Sequence, residues 1–140
     1  MYGPHTPENF NRVSQGYLPE AMGIVVLAVG EGTLTAELEV RPNLLAPNGY
    51  LHAGTVVTLA DTACGYACIA NLPAGAAGFT TIELKSNFLG TARDGHIDCT
   101  ATAVHLGRQT QVWDATVFRR EDNKAIAHFR CTQMILWPKG

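Results

Sequence analysis

Neither sign of charge predominates in this chain: ten basic and twelve acidic side chains give a formal net charge of −2, and charged residues make up only 16% of the sequence. The basic residues are scattered rather than gathered into a stripe. That argues against a nucleic-acid partner, which demands a concentrated cationic footprint. Met1-Tyr-Gly-Pro-His5 has no basic segment leading into an apolar run, and the longest apolar stretches are interrupted short of a membrane span. No leader and no membrane contact are expected, and the expected setting is cytoplasmic. Cysteine is sparse: Cys64, Cys68, Cys99 and Cys131 fall in apolar or alternating segments rather than in loops at framework spacing, so they read as reduced core residues. Cys64 and Cys68 lie one helical turn apart, yet no second Cys or His pair at zinc-finger spacing accompanies them, and no metal is expected. Low-complexity linkers, charge runs and repeats are also lacking. With 46% hydrophobic residues, the chain reads as one domain over 1–140.

What the chain does contain is an unusual helix. Asn48-Gly-Tyr-Leu-His52 is a turn, and from Ala53 to Ala70 almost every residue is apolar or small, a pattern that predicts a helix wrapped on nearly all sides. Gly54, Thr58, Asp61 and Gly65 share one face, and Val56, Leu59, Ala60, Ala63 and Ala67 the other. Asp61 is the helix's single carboxylate. A carboxylate so placed must find donors or accept a raised pKa. The residues alone leave two readings: Asp61 is satisfied locally by Thr58 or Thr62, or it is poised for chemistry.

Around this helix the sequence predicts strands. Thr6-Pro-Glu8 is a capped helix start, giving a short helical segment over about 6–16. Gly23–Val29 is a β-branched run; 33–40 alternates at period two, with a hairpin turn at Gly30-Glu-Gly32. Further strands are predicted at Phe79–Leu89, His96–Leu106, Gln111–Arg120 and Ala125–Trp137, joined by turn residues. The order β-β, long helix, four strands implies an α+β fold, an antiparallel sheet curled around one helix. Such a sheet leaves an edge and a helix flank exposed, which a partner subunit would cover.

A helix entered through His52-Ala-Gly54, an acid nine residues after that histidine, the segment Leu59-Ala-Asp-Thr-Ala63 and a β-rich half containing Leu106-Gly-Arg108 together resemble the hotdog-fold acyl-CoA thioesterases. The likeness is to the PaaI-like (phenylacetate-pathway) branch of the 4-hydroxybenzoyl-CoA thioesterase superfamily, over roughly Leu18–Leu136. It implies hydrolysis of acyl-CoA esters, small or aromatic acyl groups favoured, to free acid and CoA, with no cofactor beyond the CoA of the substrate. The backbone N–H at the helix start, here that of Ala53 where relatives carry Gly, would polarise the thioester carbonyl. Asp61 would act as general base or nucleophile from the opposite subunit of a homodimer, the functional unit, itself paired into a homotetramer.

By the same resemblance His52 would position the helix start and the carbonyl end of the substrate. Relatives carry Asn or Gln six residues before that histidine; here the position is Ala46. Asn48 is the candidate substitute, or else the left-handed residue of an Asn-Gly turn. Thr81 matches a residue that orients water, or is a structural strand threonine. Gly54 is assigned to the substrate side. Arg93, Lys85 and Arg108, favoured because Gly107-Arg108 sits in a turn, are candidates for the CoA phosphates, or solvated surface charges. His96, His105 and His128 read as surface or cross-strand residues, and Tyr50, Tyr66, Phe79 and Phe88 as the side chains that set pocket depth. Two alternatives accompany hydrolysis: a non-hydrolytic acyl-CoA binding protein, which Ala46 keeps open, and a hydratase. The latter pairs Asp with His on the helix, and no His occurs between Ala53 and Ala70.

Overall fold

The computed structural model describes residues 2–140. Thr6 caps the first helix, α1 (Pro7–Val13), by accepting the Asn9 N–H at 3.2 Å. It stops short of 16 because Gly16, at φ +84°, turns the chain into a second helix, α2 (Leu18–Met22), too short for periodicity to reveal. Gly23 closes α2 in the left-handed region, so the strand expected from Gly23 begins two residues later as β1 (Val25–Gly30). A hairpin leads into β2 (Thr33–Glu39), whose Leu34, Ala36 and Leu38 point inward as period two requires. The chain then passes through a 3₁₀ turn (Pro42–Leu44) into the long helix α3 (Ala53–Ala70). It ends with β3 (Gly78–Phe88), β4 (His96–Leu106), β5 (Thr110–Arg119) and β6 (Lys124–Leu136). The six strands form one antiparallel sheet in the order β1-β2-β4-β5-β6-β3. This is the expected α+β architecture: a sheet wrapped around one helix.

Small side chains bring that helix close. Ala60, Ala63, Cys64, Ala67 and Cys68 are fully buried against the inner sheet face, together with Leu59. A fully buried Leu contributes about 2 kcal/mol by transfer alone. All four cysteines are free thiols in this core, and burial pushes Cys68 and Cys99 up to about 12. The 18 residues of α3 are long and apolar enough to cross a membrane by length and composition, which the interruptions in the sequence argued against; in the fold 56% of them are buried beneath the sheet.

The helix end is tied down by amides rather than apolar contact. Trp113, fully buried on β5, donates its indole N–H to Gln111 Oε1 at 2.8 Å, and Gln111 donates to the Asn71 carbonyl beyond α3, also at 2.8 Å. Asn71 in turn donates to the Ala67 carbonyl and accepts the Gly32 N–H of the β1–β2 turn. One side-chain chain therefore links β5, the helix C-terminus and the hairpin.

The two edges of the sheet differ. On β1 the Asn11 side chain of α1 accepts the Val26 N–H at 2.8 Å and donates to the Val26 carbonyl at 3.1 Å, and a bulge between Val26 and Ala28 bends the strand. Both devices blunt an edge against further pairing. The β3 edge also shifts register, between Thr81 and Glu83, but among the described residues it pairs only with β6 and no side chain bonds its free edge, and it leaves Ile82, Leu84 and Phe88 exposed by 52%, 42% and 47%.

Gln111→Met is expected to cost roughly 2–4 kcal/mol in urea unfolding, because it orphans both the Trp113 indole N–H and the Asn71 carbonyl. Adding Trp113→Phe recovers part of that loss by removing one orphan; a single-mutant loss below about 1 kcal/mol would show that the amide chain is dispensable.

Candidate active site

The start of α3 is held from three directions. The Leu44 carbonyl accepts both the His52 N–H at 3.2 Å and the Thr55 hydroxyl at 2.8 Å, while the Thr91 hydroxyl accepts the Leu51 N–H at 2.9 Å. His52 is the N-cap: its Nδ1 accepts the Gly54 N–H at 2.7 Å, which places the ring proton on Nε2. A side chain at residue 54 would set its Cβ 2.9 Å from that nitrogen, so the histidine cap itself requires Gly54. Thr55 and Val56 donate their N–H groups to the His52 carbonyl. Among the described residues nothing accepts the N–H of Ala53. The helix therefore presents one free backbone donor at its positive end, on an exposed residue.

That donor opens onto a groove of about 470 Å³ lined by Tyr50, Leu51, Ala53, Val56, Phe88, Gly90 and Thr91. Its walls are mainly apolar. Arg93 stacks over the ring of Tyr50, one of its lining residues, at 4.8 Å.

Asp61 stands eight residues further along, about 12 Å up the helix. Thr58, one reading's satisfying partner, instead donates to the Gly54 carbonyl at 2.7 Å, and Thr62 makes no hydrogen bond to the carboxylate. Asp61 Oδ1 is buried without a partner, one of two such side-chain atoms among the described residues; the other is Ser86 Oγ on β3. Desolvation raises the Asp61 pKa, and the neighbouring Thr81 opposes it. The Thr81 hydroxyl also lies 2.6 Å from Gln133 Oε1. Of the Thr80–Thr81 pair, Thr81 faces the helix and Thr80 faces out.

The remaining candidates are dispersed. Asn48 serves its own turn: its Oδ1 accepts the Tyr50 N–H at 3.1 Å, and the left-handed residue is Gly49, at φ +88°. Ala46 lies in the same tight loop, its N–H bound to the Tyr50 carbonyl. Arg108 stacks over Trp137 at 4.3 Å, beside the loop that follows α3, at the opposite end of the helix from Arg93. Lys85 lies on the outer sheet face, paired across strands with Arg130 near Asp114. One chain does not gather the three cations. Phe79 packs on Gly65, while Tyr66 turns away to stack on Phe10 and bond the Ser14 hydroxyl at 2.5 Å. His96 pairs across strands with Glu39 at 3.9 Å, and His105 and His128 are exposed.

Sequence reasoning passed over Gln133, fully buried on β6 and bonded to Thr81. The signal was present: in the inward series Phe129, Cys131, Gln133, Ile135 one member is an amide. A buried amide at an apolar position has a partner to hold. Ser86 left no such mark, because a strand serine is ordinary.

Known proteins share this fold. Residues 48–126, from the turn before α3 into β6, match the Thioesterase superfamily. A 1,4-dihydroxy-2-naphthoyl-CoA hydrolase of Listeria monocytogenes is 33% identical over 115 residues, which cover 82% of this chain and 92% of that protein. Acyl-coenzyme A thioesterase PaaI of Escherichia coli is 32% identical over 112 residues, 79% of this chain and 76% of its own length. The crystal structure of thioesterase HI1161 from Haemophilus influenzae superposes with a TM-score of 0.89 at 30% identity, covering 96% of this chain and 93% of that one. The likeness runs through helix, sheet and strand order together, and the chain belongs to the Thioesterase superfamily as a hotdog-fold member of it.

Proposed function

We propose that this protein hydrolyses acyl-CoA thioesters to the free acid and CoA, with small or aromatic acyl groups favoured, at sites shared between two protomers. The observation that carries this reading is the separation on α3 of a free donor, the Ala53 N–H, from an unpaired carboxylate oxygen on Asp61. About 12 Å apart on one rigid helix, they cannot reach the same carbonyl carbon. The open edge of β3 lies alongside both. Pairing β3 with its copy in an antiparallel partner covers Ile82 and Leu84 and brings one chain's Asp61 toward the other's helix start. The exposed Met134 and Leu136 of the outer sheet face suit a further pairing into a tetramer.

The chemistry follows from this geometry. The thioester oxygen accepts the Ala53 N–H, while the acyl group lies in the groove lined by Tyr50 and Phe88. The partner's Asp61 takes a proton from water as the water oxygen bonds to the carbonyl carbon, and the oxyanion rests on the helix N-terminus. Collapse breaks the C–S bond, and the CoA thiolate leaves with the proton held by Asp61. Attack by Asp61 itself, through an anhydride, uses the same groups. His52 holds the helix start by its bond to Gly54, and Arg93, stacked over Tyr50 of the groove, is the cation best sited for a CoA phosphate. The apolar groove, and relatives named for naphthoyl-CoA and PaaI thioesterase activity, support the aromatic preference. One observation favours binding without hydrolysis: Ala46 has no amide to hold the carbonyl or water, and the Asn48 side chain is tied to its own turn through its oxygen, leaving only its Nδ2 donor.

Asp61→Asn is expected to lower thiol release from acyl-CoA by about 10²–10⁴-fold while the protein still assembles. Tight acyl-CoA binding with no thiol release by the native protein would establish the binding reading instead. Ala53 is the first helical residue, where proline is tolerated, so Ala53→Pro deletes the donor and spares the helix; kcat is expected to fall about 10²-fold. Mixed dimers of the two variants contain one intact site each and recover activity; no recovery would place both groups in one chain's site.

Burial raises the pKa of Asp61, so the acid limb of kcat falls above the ordinary aspartate range. The sign for stability is opposite to that for activity. The native state binds this proton more tightly than the unfolded chain, so the contribution is full at acid pH and is lost as pH rises through the raised value. Asp61→Asn is accordingly expected to raise Tm at pH 8 and to change it little near pH 4; an equal effect at both pH values would contradict a desolvated carboxylate.

A further inference from the structure

The groove at the start of α3 is mainly apolar, but two hydroxyl side chains line it, those of Tyr50 and Thr91. Thr91 is fixed from two sides. Its carbonyl accepts from Arg119 Nη1 at 2.7 Å, and Arg119 is itself held by both carboxylate oxygens of Asp122, at 2.9 and 2.6 Å. Its Oγ1 accepts the Leu51 N–H at 2.9 Å, so the side chain faces Leu51, which lines the groove, while the carbonyl faces Arg119. A threonine hydroxyl accepts through its lone pairs and donates one proton. The bond from Leu51 uses a lone pair, and among the described residues no acceptor takes the proton. The chain beside it is set before any ligand arrives. Asn48 accepts the Tyr50 N–H, Thr91 the Leu51 N–H and the Leu44 carbonyl the His52 N–H, so three successive residues leading into α3 are each tied down. Two unclaimed donors therefore stand on one preformed groove, the Ala53 N–H and the Thr91 hydroxyl. Leu51 and Ala53 are two residues apart in the chain, which keeps Thr91 Oγ1 within about 10 Å of the Ala53 nitrogen. A thioester carbonyl and an oxygen on an attached ring are separated by less than that.

We propose that Thr91 is a specificity-determining residue that chooses among aromatic acyl groups: its hydroxyl donates to an acceptor oxygen on the ring while the thioester carbonyl rests on the Ala53 N–H. The inference rests on the hydrolytic reading of the site and deepens it, because it names what the groove reads in the acyl group. The apolar walls hold the ring without regard to its substituents, and a placed polar group among them selects the oxygen. A ring carrying a methyl group where the oxygen would be fills the same space but leaves the Thr91 proton without an acceptor, so it is the poorer substrate. The bond forms with ground state and transition state alike, and the discrimination appears in kcat/KM through KM.

The test is thiol release from 3- and 4-hydroxybenzoyl-CoA and from their methylbenzoyl isosteres by the native protein, Thr91→Ser and Thr91→Val. Binding of the same esters to Asp61→Asn and to Asp61→Asn/Thr91→Val is followed in parallel by calorimetry. The native protein is expected to favour at least one hydroxylated ester over its isostere by about tenfold in kcat/KM. Thr91→Ser keeps that ratio and Thr91→Val brings it to about one, even though the lost bond to Leu51 lowers activity toward both members of a pair. The ratio is the readout that a purely structural threonine would not move. Where Thr91→Val does not assemble, the native protein decides with methoxybenzoyl-CoA against ethylbenzoyl-CoA, neither of which has a proton to donate: a donor at Thr91 favours the ether, and equal rates overturn the inference. A native ratio near one, or a Thr91→Val loss shared equally by hydroxylated and methyl esters, also overturns it and leaves Thr91 a structural tie for Leu51. So does a loss confined to CoA esters and absent when the same acyl groups are carried on 2-mercaptoethanol, which would set the hydroxyl against the pantetheine amides. No thiol release from any ester, with the preference for the hydroxylated ester still present in binding and lost in the double variant, removes the hydrolytic reading and leaves the assignment of Thr91 standing.

Discussion

A sheet bent around a helix covers most of its circumference but not all of it, and the rest of this structure depends on that incompleteness. The helix is narrow where it meets the sheet, with alanine, cysteine and glycine along the contact, so six strands can close tightly over one flank. The opposite flank, with Thr58, Asp61 and Thr62, is only partly covered. It adjoins β3, the edge strand that pairs only with β6 among the described residues. The seam between helix and edge strand holds the free N–H of Ala53, the buried orphan oxygen of Asp61 and the buried orphan hydroxyl of Ser86. Unmet polar groups are costly inside a protein, and natural structures keep few of them. Their concentration along one seam fits a surface completed by substrate and by a second chain.

Two buried glutamines show how the same residue type serves different ends. Gln111 accepts from an indole and donates to a helix-end carbonyl, so it closes a circuit that contains no free valence. Gln133 accepts the Thr81 hydroxyl at the boundary of the seam, across the β3–β6 pairing. They are cross-strand neighbours on β5 and β6. A polar row thus crosses the inner sheet face, from the helix C-terminus to β3. Asp61 carries the cost of a desolvated charge, which raises its pKa.

Much of this was legible in the residues. The bounds of α3 and of β4 agreed with the pattern to the residue, because an 18-residue apolar run and period-two alternation are long enough signals to overrule local noise. The short helix α2 was missed because five residues carry no periodicity, and β1 was begun early because Gly23 reads as part of an apolar run until its left-handed backbone is seen. Asp61 was singled out by being a lone acid on an apolar helix. Gln133 was not, since an amide in a strand is conspicuous only when the strand's inner face is known.

The sequence by itself determined the fold class, the helix and its carboxylate, and the likeness to thioesterases, since each rests on periodicity or on motifs local in the chain. Tertiary structure decided which groups are free. That Ala53, among the first four residues of α3, keeps an N–H that no described residue accepts, that the Asn48 oxygen is spent on its turn, that Thr81 faces the helix, and that one sheet edge is sealed by Asn11 are all facts of partnership. Hydrogen-bond partners come from residues far apart in the chain, 52 positions for Thr81 and Gln133 and 83 for Arg120 and Glu37, and no local pattern carries that information.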